Sequence, residues 1–221
     1  MLGVGWASLA PGRYTYDVAP RVPLADYITA IGTSPIALFT DIEPWELTAR
    51  AENAVARLLT GVGPEFSIAD GVAVHATAIV ERGAVVKAPA IIGAHCFVAA
   101  GAYVRGGCWL DAHCTLGPGT ELKSTFLFAG TKLAHFNFVG DSILGSGVNL
   151  EAGAIVANYR NEDPERTITI FLGECRVETG MRKFGAVIGD GARIGANAVI
   201  APGAVLRPGA VVPRLGLVDQ G

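Results

Sequence analysis

The feature that most constrains this chain is a six-residue period. Stepping by six from Ile68 gives Val74, Val80, Val86, Ile92, Val98, Val104, Leu110, Leu116, Leu122, Phe128 and Ala134, every one apolar. With 51% of the chain apolar, such a run arises by chance on the order of once in 3,000. Four residues after each of the first nine stand Val72, Ala78, Ala84, Ala90, Cys96, Ala102, Cys108, Cys114 and Thr120, all small. The pattern then slips phase and resumes at Leu144, Leu150 and Val156. It returns at Ile188, Ile194, Ile200, Leu206 and Val212, with Ala192, Ala198, Ala204 and Ala210 at the small position.

A period of six matches neither the 3.6 of an α-helix nor the 2 of a free strand. It matches a short strand and a tight corner, repeated. The large residue points inward on each flat side, and the small one packs inside each corner. Three units make a coil of 18 residues, and coils stack about 4.8 Å apart, as neighbouring strands do. The fold class is therefore all-β, a left-handed parallel β-helix of hexapeptide repeats over 65–221, an exception to right-handed crossovers. Residues 18 apart lie one above the other. Cys96, Cys108 and Cys114 fall at the small position and read as packing groups; Cys175 lies outside the lattice. Residues 1–64 form an N-terminal extension. Pro44 opens a helix over about 44–59, and Gly61-Val62-Gly63-Pro64 closes it. Residues 1–42 are irregular, with a short helix near 24–31. We expect 1–43 to cap an open end of the β-helix, where backbone groups are unpaired. Residues 159–185 interrupt the lattice as an inserted loop, with short strands at 167–172 and 175–178 around Gly173. An excursion of that length points to function.

Composition excludes several classes. The formal charge is −3, from 17 basic and 20 acidic residues, with no basic block, so no nucleic-acid partner is expected. No run of about 18 apolar residues exists to span a membrane. Met1 to Ala10 has no basic residue and does not read as a signal peptide. Four cysteines without disulfide-like spacing indicate a reducing, cytoplasmic setting. The histidines, His75, His95, His113 and His135, include no close pair such as a zinc site on this type of fold needs, so no metal is expected.

From Pro44 onward the chain resembles the acyltransferase half of the bifunctional N-acetylglucosamine-1-phosphate uridylyltransferase/glucosamine-1-phosphate acetyltransferases, in the archaeal-type branch. The resemblance rests on Pro44-Trp45-Glu46-Leu47, Pro89-Ala90-Ile91-Ile92-Gly93 and Gly130-Thr131-Lys132-Leu133-Ala134-His135. It continues through Val139-Gly140-Asp141-Ser142, Asn149-Leu150-Glu151-Ala152-Gly153, Ala157-Asn158-Tyr159-Arg160 and the block from Thr179 to Asp190. It implies acetyl transfer from acetyl-CoA to an amino-sugar 1-phosphate or related sugar nucleotide. It also implies a homotrimer with sites between subunits. The nucleotidyl-transfer domain is not matched: residues 1–43 are too few, and no Gly-x-Gly-Thr-Arg loop occurs, so that activity is not expected.

The resemblance implies roles residue by residue. His135 is the general base, since an imidazole titrates near neutrality. Arg105 and Lys123 hold the acceptor phosphate, and their 18-residue spacing independently stacks them on one face. Asn149 orients the sugar, Asn158 and Tyr159 lie beside the acetyl and sugar groups, and the Ala152 N–H steadies the thioester oxyanion. Arg182, Lys183 and Arg207 are candidates for the CoA phosphates. Phe138 stands where the family often has Tyr. The family's lysine after Asn-Tyr is missing, with Arg166 as its candidate substitute. Phe126, Lys132 and Phe138 break the small-residue rule at the corners, the irregularity expected of a site. Two rival readings are a non-catalytic trimeric scaffold that binds a sugar nucleotide or CoA, and an acyltransferase with another acceptor.

Overall fold

The computed structural model describes residues 21–220; readings made for residues 1–20 lie outside them. The chain is a parallel β-helix of the left-handed hexapeptide type with three sheet faces. One face has eight strands: 66–69, 72–75, 90–92, 108–110, 126–127, 143–144, 186–188 and 204–206. A second has seven, from 79–80 through 97–98, 115–116, 132–133, 149–150 and 193–194 to 211–212. The third also has seven, from 85–86 through 103–104, 121–123, 138–140, 155–156 and 199–200 to 217–218. All pairings are parallel except the hairpin 66–75, which closes the first face, and the inserted hairpin of 169–172 and 175–178.

The inward residues form one core: Ile92, Val98, Val104, Leu110, Leu116, Leu122, Leu127, Leu133, Val139, Leu144, Leu150 and Val156, then Ile188 to Val212 by sixes. Burying each of these side chains contributes about 1.5–3 kcal/mol. Two steps in the middle are five residues long, Leu122 to Leu127 and Val139 to Leu144, so coils there are 17 residues rather than 18. This corrects the lattice phase. Phe128 and Ala134 are not inward positions; Leu127 and Leu133 are. Nor are Phe126, Lys132 and Phe138 corner residues, since all three lie in strands. The small corner positions continue as Thr120, Thr125, Thr131, Asn137 and Ser142, all at most 2% exposed. Four of them donate to backbone carbonyls: Thr125 to Lys123, Thr131 to Gly145, Asn137 to Glu151 and Ser142 to Gly140. Ile68, the first position of the periodic run, belongs to the closing hairpin and is exposed.

Residues 22–62 do not cap an end. They lie along the outer side of the eight-stranded face. Ile28, Ile31, Ile36, Trp45, Val55 and Leu58 pack there with the outward residues Ile91, Trp109, Phe126, Ile143, Val187 and Val205. The inserted hairpin adds Ile168, Ile170 and Val177 to the same layer. This face is thus buried on both sides, and its strands read as unbroken apolar runs such as Cys108-Trp109-Leu110 and Ala186-Val187-Ile188. The other two faces are uncovered: the second carries Lys132, Asn149 and Arg193 outward, and the third carries Glu121 among apolar residues such as Val85, Ile155, Val199 and Leu217.

The expected single helix is two: α1, Pro44–Ala49, and α2, Ala51–Leu59. Arg50 (φ −108°, ψ 20°) leaves helical geometry between them. The expected helix near 24–31 is replaced by 3-10 turns at Leu24–Asp26 and Thr29–Thr33. Gly107 (φ 77°) lets the start of α2 approach: a Cβ there would stand 3.0 Å from Ala51 Cβ. Asp190 pins the segment to the β-helix. Its carboxylate accepts from the Thr29 N–H at 2.9 Å, from the Thr29 hydroxyl and from the Ser146 N–H at 2.7 Å. At the C-terminal end the Gln220 amide accepts from the Val205 N–H at 2.8 Å and donates to the Val205 carbonyl at 3.4 Å.

Two outcomes follow from this packing. Asp190→Ala removes three hydrogen bonds to a charged acceptor that tie the segment to the β-helix, so chemical denaturation should register a loss of about 1–3 kcal/mol. Cys96, Cys108 and Cys114 are buried and Cys175 is exposed. Burial pushes the Cys108 thiol up to about 12, and a hydrogen bond to Cys96 together with burial raises that of Cys114. A disulfide reagent at pH 8 should therefore modify one thiol promptly in the native protein and four after unfolding.

Candidate active site

The site is built at the corner between the third face and the covered face. Arg105 and Lys123 leave this corner directly after the inward residues Val104 and Leu122. Arg105 donates its N–H to the Leu122 carbonyl at 2.9 Å, and Lys123 receives that of Asp141 at 2.8 Å. Both five-residue steps lie at this same corner, and the insertion emerges from it after Val156. Ser124 (φ 48°) and Asp141 (φ 46°) turn the shortened corners in the left-handed region. Gly140 occupies the outward position above Lys123. A Cβ there would stand 2.7 Å from Asn158 Nδ2 and 2.9 Å from Phe138 Cζ, so the missing side chain is what admits Asn158.

The resulting cleft holds about 620 Å³. Arg105, Lys123, Phe138, Asn158 and Tyr159 line it, with Arg182 and Lys183 on the insertion side. Each cation has a partner. Arg105 Nη1 lies 3.3 Å from Glu121 Oε1, a half-exposed pair worth little by itself. Lys123 Nζ donates to both Asp141 oxygens, at 2.9 and 3.1 Å, and the Asp141 side chain is 6% exposed. Asn158 Nδ2 donates to Asp141 Oδ2. Arg182 pairs with Glu165 at 2.6 Å on the rim. Lys183 Nζ sits 5.9 Å from the Tyr159 ring centroid, a cation–π distance.

Other sequence-predicted residues lie elsewhere. His135 is an exposed residue at the vertex between the second and third faces, and its carbonyl accepts the Gly153 N–H at 2.9 Å. Ala152 therefore lies beside it on the next coil. Phe136, next in sequence, is 71% exposed at φ 52°, a strained conformation for an aromatic residue. Asn149 points outward from the second face, in register between Lys132 and Arg193. It lines a separate cleft with Glu151, Arg193 and Arg214. The Arg214 guanidinium, and the Ala196 N–H after it, hold the Glu151 carboxyl below its usual range. Arg166 is exposed and does not line the first cleft, where Pro164 and Glu165 stand instead. Arg207 lies toward the N-terminal segment, near Tyr27, and also does not line that cleft. Asp141 and Glu121 are site residues that sequence reasoning missed. The spacing held a signal for Asp141, which is 18 residues beyond Lys123. Among the described residues no group of three or more His, Cys, Asp or Glu could hold a metal ion.

Residues 89–124 match the bacterial transferase hexapeptide model of six repeats. The chain is 39% identical over 153 residues to the bifunctional protein GlmU of Methanococcus maripaludis strain S2, covering 66% of this chain and 36% of that one. It is 36% identical over 74 residues to a bifunctional sugar-1-phosphate nucleotidylyltransferase/acetyltransferase of Sulfurisphaera tokodaii, covering 34% of this chain and 18% of that one. Among solved structures, the acetyltransferase domain of PglB from Neisseria gonorrhoeae FA1090, in complex with acetyl coenzyme A, matches at 23% identity. That match has a TM-score of 0.25 and covers 48% of this chain and 58% of that one. The chain spans about a third of the length of the curated relatives it matches over 153 residues. Its repeats are thus similar to those of the bacterial hexapeptide transferases, and the relatives it matches include bifunctional GlmU proteins.

Proposed function

We propose that this protein is an acyltransferase that moves the acetyl group of acetyl-CoA to the amine of an amino-sugar 1-phosphate. The observation that carries this reading is the convergence of Arg105, Lys123, Phe138, Asn158 and Tyr159 on one cleft, from positions spread over 55 residues of sequence. His135 takes a proton from the acceptor amine as its nitrogen attacks the thioester carbonyl. The Ala152 N–H receives the oxyanion. The carbon–sulfur bond then breaks, and the imidazolium returns the proton to the departing CoA thiolate. Arg105 and Lys123 face the acceptor phosphate; Arg182 and Lys183 face the CoA phosphates.

His135 and Asn149 lie outside that cleft on the single chain. A homotrimer that sets the second face of one copy against the third face of the next reunites them. The exposed Phe136 and Leu215, 71% and 78%, give such a contact apolar surface. No described helix is long and apolar enough to cross a membrane, and we place the protein in the cytoplasm. One observation favours a second reading. The carboxylates of Glu121 and Asp141 already partner Arg105 and Lys123, which suits an acceptor that carries less charge than a sugar 1-phosphate.

Thiol release from acetyl-CoA, measured against amino sugars and their 1-phosphates, decides between the two. Release restricted to a hexosamine 1-phosphate supports the first reading, and release with unphosphorylated amino sugars supports the second. No release with any acceptor, while CoA still binds, leaves the non-catalytic scaffold. In an active protein His135→Ala should lower kcat about 10²–10⁴-fold with CoA binding retained, the usual contribution of a general base. An unchanged kcat would remove His135 from the mechanism.

A further inference from the structure

We infer that Asp141 is the positioning residue of the cleft: its buried carboxylate sets the direction in which Lys123 and Asn158 meet the acceptor. The inference rests on the reading of the cleft as an acceptor site. Its geometry begins with the chain. The five-residue step from Val139 to Leu144 turns at Asp141, at φ 46°, and places its side chain inside the corner, 6% exposed. Asp141 is held at both backbone ends: its N–H donates to the Lys123 carbonyl at 2.8 Å, and its carbonyl accepts the Gly185 N–H at 2.9 Å. The carboxylate itself is therefore fixed, and its two oxygens accept three bonds from two cleft-lining side chains.

Each bond has a consequence for what faces the ligand. An ammonium has three donors. Asp141 engages Lys123 with both oxygens, which fixes the direction of the ammonium and turns its other N–H groups toward the cleft for a phosphate. The Asn158 amide donates to the carboxylate through Nδ2, which turns its Oδ1 away from Asp141. A carboxylate accepts only, so it selects this orientation of the amide over the flipped one. Asn158 then presents an acceptor, the group that can receive a hydrogen from the sugar amine and aim the nitrogen lone pair. An asparagine at 141 would accept either amide orientation and would hold Lys123 by one weaker bond. Geometry of this kind, rather than direct contact, is what positioning supplies.

The test is Asp141→Asn, which keeps the shape and removes the charge, with melting temperature and CoA binding measured alongside. We expect both to stay near those of the unaltered protein, while kcat/KM for a hexosamine 1-phosphate falls about 100-fold. The unphosphorylated sugar gives Lys123 nothing to bind, so only a fall in kcat of about tenfold should remain with it. In a double-mutant cycle, Asp141→Asn added to Lys123→Met should raise KM for the phosphorylated acceptor by less than about threefold, because the two act through one contact. Asp141→Glu keeps the charge and lengthens its reach; it is the second variant should the first not fold, and it should also lose at least about tenfold. Unchanged kcat and KM in either variant overturns the inference. So does a loss matched by equal falls in melting temperature and CoA affinity, which marks a structural role only. An unaltered protein that acetylates no amino sugar overturns instead the functional reading beneath it.

Discussion

The structure depends on one constraint: each coil must hydrogen-bond to the coils above and below while its aliphatic residues stay inside. Strand pairing fixes every outward side chain directly over a partner 17 or 18 residues away, or 44 across the insertion. Chemistry therefore comes in columns. Arg105, Lys123 and Gly140 form one; Lys132, Asn149 and Arg193 form another. A functional group in such a fold is chosen by its place in a column, and a missing one, as at Gly140, is as informative as a present one.

The three faces divide the labour. One face is spent on stability, sandwiched between the inward aliphatics and the helical segment with the inserted hairpin. The other two remain open; the second carries a polar column, and the third ends at the corner that carries Arg105 and Lys123. Where the covered and third faces meet, two coils each lose one residue, and the chain leaves the lattice directly above them. The recess and the insertion that walls it are one local event. This explains how Asn158 and Tyr159, on the insertion, come to share a cleft with Arg105 and Lys123 from lower coils.

Much of this was legible in the sequence, because the period is a direct image of the coil. The inward residues from Val74 to Leu122 and from Leu144 onward, and the stacking of Lys123 over Arg105, can be read by counting. The five-residue step at 123–126 cannot, because Phe128 and Ala134 are as apolar as Leu127 and Leu133. A chain half apolar in composition satisfies both phases. That slip puts Gly140, not Asp141, above Lys123, although counting by 18 lands on Asp141. Arg166 and Arg207 illustrate a different failure: both lie near informative motifs in sequence, yet Arg166 stands exposed in the inserted loop and Arg207 lies toward the N-terminal segment, neither lining the cleft. The outer cover of the first face left a sign that counting by six overlooks. Ile91, Trp109, Phe126, Ile143, Val187 and Val205 are all outward and all apolar, whereas the corresponding positions on the second face include Lys132, Asn149 and Arg193.

Gln220 carries a last consequence. A stack of parallel strands about 4.8 Å apart is the same backbone arrangement that lets amyloid fibres lengthen by adding chains. The terminal strand of the longest face would be the growing tip of such a fibre. There the primary amide of Gln220 imitates the peptide group of the next strand, meeting both the N–H and the carbonyl of Val205. One side chain thus occupies, at Val205, both backbone groups through which a further strand on this face would pair.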